Sequence, residues 1–103
     1  SSVTLAKEFL DDHYSTGTKK IVLITEEHTN NPYYWDNVFT IQTILQEAGR
    51  EVRLAIPRVL ESPLQLQSAS GKSLTVYGAT RDGQGIQIEG FRPDLLISNN
   101  DFS

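Results

Sequence analysis

The chain has 103 residues, 38% of them hydrophobic, with a net charge of −4 and no cysteine. That length holds one domain with one modest core, and the apolar content marks a globular chain rather than a disordered one. The acidic balance, with Lys19 and Lys20 the only adjacent basic pair, argues against a nucleic-acid partner, because phosphate binding needs a clustered basic surface; the missing thiols exclude disulfides, thiolate nucleophiles and Cys-ligated zinc.

The opening segment, "SSVTLAKEFLDDHY", places Val3, Ala6, Phe9, Leu10 and His13 on one helical face with Lys7, Glu8 and Asp11 opposite. Ser1 or Ser2 can cap its start and Gly17 can close it. "KKIVLIT", residues 19 to 25, is a short unbroken aliphatic run. It is too short for a helix and reads as a strand buried on both faces, which is typical of a parallel sheet. A helix is then expected from Pro32 to Ala48, where Tyr34, Val38, Ile41, Leu45 and Ala48 form one stripe. Asn31 is its natural N-cap, Pro32 its first residue and Gly49 the residue just past its end.

"EVRLAIP", residues 51 to 57, is a second strand, so strand, helix and strand form a βαβ unit. "RVLESPLQLQSASGK" reads as a loop with a short extended piece at Leu64 to Leu66. "SLTVYGATRDGQGIQIEGF" is expected to be a hairpin, in which Leu74 and Val76, then Ile86 and Ile88, alternate with polar residues around the Asp82-Gly83 turn. A last strand, "DLLIS", precedes Asn99, Asn100 and Asp101. The expected fold class is α/β: a small Rossmann-like, three-layer domain with a parallel core of three strands and an added β-hairpin. No apolar run approaches the roughly 18 residues of a membrane span, and the first residues have no signal-peptide pattern. Membranes are thus not expected as partners, and a cysteine-free chain fits the cytoplasm. The Ser-Ser start without Met suggests an excised segment.

Two polar clusters follow strand ends. "EEHTNN" follows the first core strand and "SNND" the last. In an open parallel sheet, ligands bind outside the carboxyl ends of the strands. Topology therefore brings Glu26, His28, Thr29, Asn30 and Asn31 to the same edge as Asn99, Asn100 and Asp101, and these eight are the candidate substrate-binding residues. How close they come depends on strand order, which the sequence does not reveal. The amino end of the helix after "TNN" favours an anion. Capping alone accounts for the Asn pair equally well, but it leaves Glu26, Glu27 and His28 unexplained. His28 alone reads more readily as solvated or hydrogen-bonded than as catalytic, and His13 has no role. Two distant histidines make no zinc site. Tyr33, Tyr34 and Trp35 read as core and helix-edge packing. "SASGKS" lacks the first glycine of a phosphate loop and precedes a strand rather than a helix. There is no dinucleotide fingerprint and no nucleophile elbow, so no catalytic residue and no metal ligand is assigned.

"EEHTNNPYYWDNV", then "ILQEAGREVRLA", then "GFRPDLLISNNDFS" together resemble the amino-terminal region of the proteobacterial-type glutamate–cysteine ligases, over roughly residues 17 to 103. The resemblance implies a Rossmann-like domain that precedes an ATP-grasp unit, as one amino-terminal domain over residues 1–103 of a longer enzyme. It implies that ATP and Mg²⁺ are held by later domains of the same polypeptide, with no cofactor in these residues. The enzyme would make γ-glutamylcysteine in glutathione biosynthesis, the two loops lining its amino-acid site, and the fragment alone would be inactive. A freestanding α/β module that binds a small ligand or docks a protein is the other reading of the same sheet edge.

Overall fold

The computed structural model describes residues 4, 5, 8, 19–27, 30–83 and 85–98. Thr4, Leu5 and Glu8 are helical; the rest of the expected first helix lies outside the described residues. The elements that follow are β1 (Lys20–Ile24), α1 (Pro32–Glu47), β2 (Glu51–Ile56), β3 (Leu64–Gln67), β4 (Ser73–Gly78), β5 (Thr80–Asp82), β6 (Gly85–Gln87) and β7 (Leu95–Ser98).

Five of the strands form one sheet in the order β3-β4-β2-β1-β7, and β5 with β6 form a second, two-stranded one. β1 is parallel to both of its neighbours, β2 and β7, and β2 is parallel to β4. Only β3 runs antiparallel, on the outer side of β4. The unbroken run Ile21–Ile24 is buried throughout, because each face of the sheet has its own cover. Ile21 and Leu23 point to the layer of α1, where Trp35, Val38 and Leu45 meet Val52, Leu54, Ile56, Leu74 and Val76. Val22 and Ile24 point the other way, to Ala55, Ala79 and the hairpin residues Ile86 and Ile88. Each fully buried aliphatic side chain here stabilises the fold by about 1.5–3 kcal/mol over leaving it exposed. Helix, sheet and hairpin are thus three layers, and the α/β class read from the sequence holds.

Both ends of α1 follow from local chemistry. Asn31 Oδ1 accepts the Tyr34 N–H at 3.3 Å, and Pro32 supplies a first residue that has no N–H to leave unsatisfied. At the far end Gly49 takes φ 87°. Its N–H bonds Gln46 O at 3.0 Å and the Arg50 N–H bonds Leu45 O at 3.2 Å, the paired bonds of a Schellman cap. The buried stripe is set differently from the one read off the periodicity: Trp35 is 3% exposed while Ile41 is 46% exposed. The β3–β4 turn docks on the start of this helix. Ala69 N–H donates to Pro32 O at 3.1 Å, and the Ser68 and Ser70 side chains hold the Asp36 carboxyl below its ordinary range.

Two expectations change. The strand of Leu74 and Val76 does not pair with Ile86 and Ile88; it lies beside β2, making four parallel strands rather than three, and its antiparallel partner is β3. Burial decides this, since Leu74 and Val76 complete the core under α1. The Asp82-Gly83 turn does make a hairpin, but with three residues on each side and in a sheet of its own. Ile88 and Phe91 then bridge each other across a tight turn in which Glu89 takes φ 42°.

The end of β4 presses on the loop that leaves β2. A β-carbon on Gly78 would sit 2.5 Å from Arg58 O and 2.7 Å from Leu60 N, both backbone atoms. We expect Gly78→Ala to lower stability by about 1–3 kcal/mol. Gly83→Ala, with nothing within 4 Å, should be close to neutral; thermal unfolding of the two variants separates them.

Candidate functional site

Strand order turns the expected sheet edge into a specific place. From β1 the chain crosses through α1 on one face to reach β2, with β4 beyond it; it returns through the β5–β6 hairpin on the opposite face to reach β7 on the other side of β1. The order reverses between β1 and β7, and the crevice at the carboxyl ends of two such strands is where open α/β sheets bind ligands. Ile24 and Ser98 are paired there, side by side. At the opposite, amino edge, Asp94 fastens the same two strands. Its carboxylate accepts the N–H groups of Lys19 and Lys20, each at 3.0 Å, and these bonds hold its pKa below the ordinary value.

The chain leaves β1 under tight control. Thr25 is buried, and both its N–H (2.8 Å) and its Oγ1 (3.2 Å) donate to Ala55 O, which extends the β1–β2 ladder by one residue. The next N–H, of Glu26, donates to Tyr34 Oη at 2.9 Å. Tyr34 is held in turn by an edge-to-face contact with buried Trp35, ring centroids 5.1 Å apart. The three aromatics therefore differ in what they do. Trp35 anchors, Tyr34 fixes the loop, and Tyr33 stands in solvent at 73% exposure.

Glu26 and Glu27 then face the loop that leaves β2. Arg58 Nε donates to Glu27 Oε2 at 3.0 Å and Nη2 to Oε1 at 2.6 Å, a two-pronged pairing. That hydrogen bonding holds the Glu27 carboxyl below its ordinary value of 4.5. The same bonds raise Arg58, so it stays a cation throughout the working range of pH. Thr25, Glu26, Glu27, Ile56, Pro57 and Arg58 line an open cleft of about 390 Å³. A second cavity, of about 210 Å³, lies under the other side of the loop, among Leu23, Ile24, Tyr34, Asn37, Val38 and Ile41. A third, of about 340 Å³, sits by Arg92 and Asp94, away from this edge.

Of the residues expected here, Glu26 lines the cleft, Asn30 is exposed in a turn, and Asn31 is spent on the helix cap. His28, Thr29, Asn99, Asn100 and Asp101 lie outside the described residues. Arg58 was missed by sequence reasoning. Its signal was present: it comes directly after Pro57 closes β2, so the rule of the carboxyl edge applies to it as much as to "EEHT". Among the described residues no group of three or more His, Asp or Glu is placed to hold a metal ion, and no helix is long and apolar enough to cross a membrane.

A family model described as Glutamate-cysteine ligase matches residues 1–103. The crystal structure of a protein described as a gamma-glutamylcysteine synthetase from Methylobacillus flagellatus KT matches with a TM-score of 0.85 and 26% sequence identity, over 97% of this chain and 24% of that one. This chain thus spans about a quarter of that protein's length. No curated protein matches.

Because the folded-state pKa of Glu27 lies below its unfolded value, the Glu27–Arg58 pair contributes above the unfolded pKa, and the contribution is lost as pH falls through the folded one. In an NMR titration the Glu27 carboxyl should have its midpoint below 4.5. Arg58→Met should move that midpoint up, and so should molar salt, because the pair is exposed to solvent.

Proposed function

This chain belongs to the glutamate–cysteine ligase family, and we propose that it forms the amino-terminal, substrate-side domain of an ATP-dependent enzyme that makes γ-glutamylcysteine. The observation that supports this reading is the reversal of strand order at β1 and β7, because in the sequence these two strands are the ones followed by "EEHTNN" and "NND". In this reading Glu26, His28, Thr29 and Asn30 line one wall of the amino-acid site and Asn99, Asn100 and Asp101 the other. Asn31 serves by starting the helix that closes the loop.

A ligase of this kind activates the γ-carboxylate of glutamate as an acyl phosphate, which the cysteine amine then attacks. The described groups at this edge do not make a site for a nucleotide's phosphates. The cleft has two carboxylates and one arginine already paired to one of them, with no lysine and no glycine-rich phosphate loop. We therefore assign ATP and Mg²⁺ to later, ATP-grasp domains of the same polypeptide. What this domain supplies is orientation: a bound amino acid held in one pose converts an encounter into a positioned reaction. The neighbouring protein, four times as long by the matched share, is consistent with such a division, and the cytoplasm is the compartment we assign.

Two measurements test the assignment. The isolated 103-residue chain, given ATP, glutamate and cysteine, should form no γ-glutamylcysteine; turnover by it alone would refute the division of labour. In the complete enzyme, Asn99→Ala and Asp101→Ala should each raise KM for an amino-acid substrate by about tenfold, the effect of one lost hydrogen bond to a charged group, and leave KM for ATP within about twofold.

A further inference from the structure

We propose that Arg58 binds the α-carboxylate of an amino-acid substrate, with Glu27 holding the guanidinium in place for it. This rests on the reading of the carboxyl edge as the amino-acid side of the ligase, and it adds a residue and a ligand group that the reading lacks.

Three observations carry the assignment. The first is placement. Among the described residues, Arg58 is the one cation on the wall of the 390 Å³ cleft, beside Thr25, Glu26, Glu27, Ile56 and Pro57. Its N–H donates to Ile56 O at 2.8 Å, and its carbonyl occupies space that Gly78 leaves open by having no β-carbon. The second is the way its donors are shared. Glu27 takes Nε and one hydrogen of Nη2. Nη1 donates to no described residue, and its edge of the guanidinium plane stays available to a second carboxylate. A guanidinium has five donors in a rigid fork, so one carboxylate does not exhaust it. The third is exposure. The Arg58 and Glu27 side chains are 50% and 39% exposed. An ion pair that open to water adds little to stability, so holding the fold is a weak reason for such close geometry.

The charge set also matches the ligand class. The α-carbon of an amino acid carries one ammonium and one carboxylate group. The cleft offers acidic groups, Glu26 and Glu27, beside one guanidinium, which is the complementary arrangement. A nucleotide triphosphate would meet two carboxylates here, and a simple dicarboxylate would have no use for them. Glu27 has a further effect: by fixing two of the guanidinium's nitrogens it removes rotamer freedom before the ligand arrives, which lowers the entropic cost of binding.

The test uses the complete enzyme and probes that lack only the group in question. For glutamate the probe is 4-aminobutyrate, and for cysteine it is cysteamine; each keeps its reacting group and its amine. In the wild type one of the two pairs should differ in kcat/KM by about ten- to hundredfold, the worth of a hydrogen-bonded charged group. Arg58→Ala should raise KM for that amino acid by a similar factor, leave KM for ATP within about twofold, and bring the ratio between substrate and probe close to one. Arg58→Lys, which keeps the charge but loses the fork, should fall between, and it serves if the alanine variant folds poorly. Glu27→Gln should raise the same KM by a smaller factor without abolishing the preference. If both ratios are unchanged in Arg58→Ala, the inference is overturned. In that case Glu26→Gln identifies what failed: a changed amino-acid KM leaves the substrate-side reading standing, and unchanged kinetics for both amino acids remove that reading too.

Discussion

The position of β1 between two parallel neighbours governs the rest of the molecule. A strand in that place must be apolar on both faces, and Ile21 to Ile24 are. It must also have cover on both faces, which α1 and the β5–β6 hairpin provide from opposite sides. That opposition is what reverses the strand order beside β1, and the reversal opens the crevice. That crevice is therefore a consequence of how the core is closed, and the cleft of Glu27 and Arg58 lies on the other side of β1, where β1 and β2 end. Asp94 shows the same economy at the other edge. One carboxylate bonded to two backbone N–H groups fixes where β7 begins, and so which of its residues comes to lie opposite Ile24.

Between the core and the cleft runs a short chain of contacts in which each member restrains the next. Trp35 is buried by the sheet and packs edge-on against Tyr34; the Tyr34 hydroxyl takes the Glu26 N–H; Glu26 and Glu27 face Arg58. Side chains fixed by a packed core are better placed to hold a ligand than side chains on a free loop. The run of three aromatics after "NNP" is thus more than core filling. One ring buries itself so that the next can hold the start of the loop after β1.

The sequence was readable where a single local signal decides. The continuous apolar run of β1, the Asn-Pro start and Gly49 stop of α1, and the Asp82-Gly83 turn all appear in the structure in the places expected. It misled where two signals competed. The alternation in "SLTVYG" fits a hairpin arm and an edge-proximal parallel strand equally well, and only burial under α1 selects the second. The weak "PLQLQ" pattern becomes β3 because β4 needs an antiparallel partner on its outer side. The turn at Glu89 had only Gly90 to announce it, since a glutamate at φ 42° is an unusual choice. For the site, strand order was the missing quantity, and strand order is a matter of tertiary pairing that local patterns do not encode. Arg58 was overlooked for a different reason: one arginine after a proline has no motif, and it acquires meaning only when β2 is seen to end beside Glu27.

The Glu27–Arg58 pair also bears on why a sheet edge would carry opposite charges in contact. Two acidic residues at the mouth of a cleft would repel any carboxylate-bearing ligand. Pairing a guanidinium with Glu27 offsets part of that field and leaves a fixed cation with donors to spare. The cost is small, because both groups keep much of their hydration, whereas a fully buried pair would bear a heavy desolvation penalty. With an amino acid as the proposed ligand, the arrangement would be selective by exclusion as well as attraction. A ligand that is only anionic still meets Glu26, one that is only cationic meets Arg58, and a zwitterion meets each charge with its opposite.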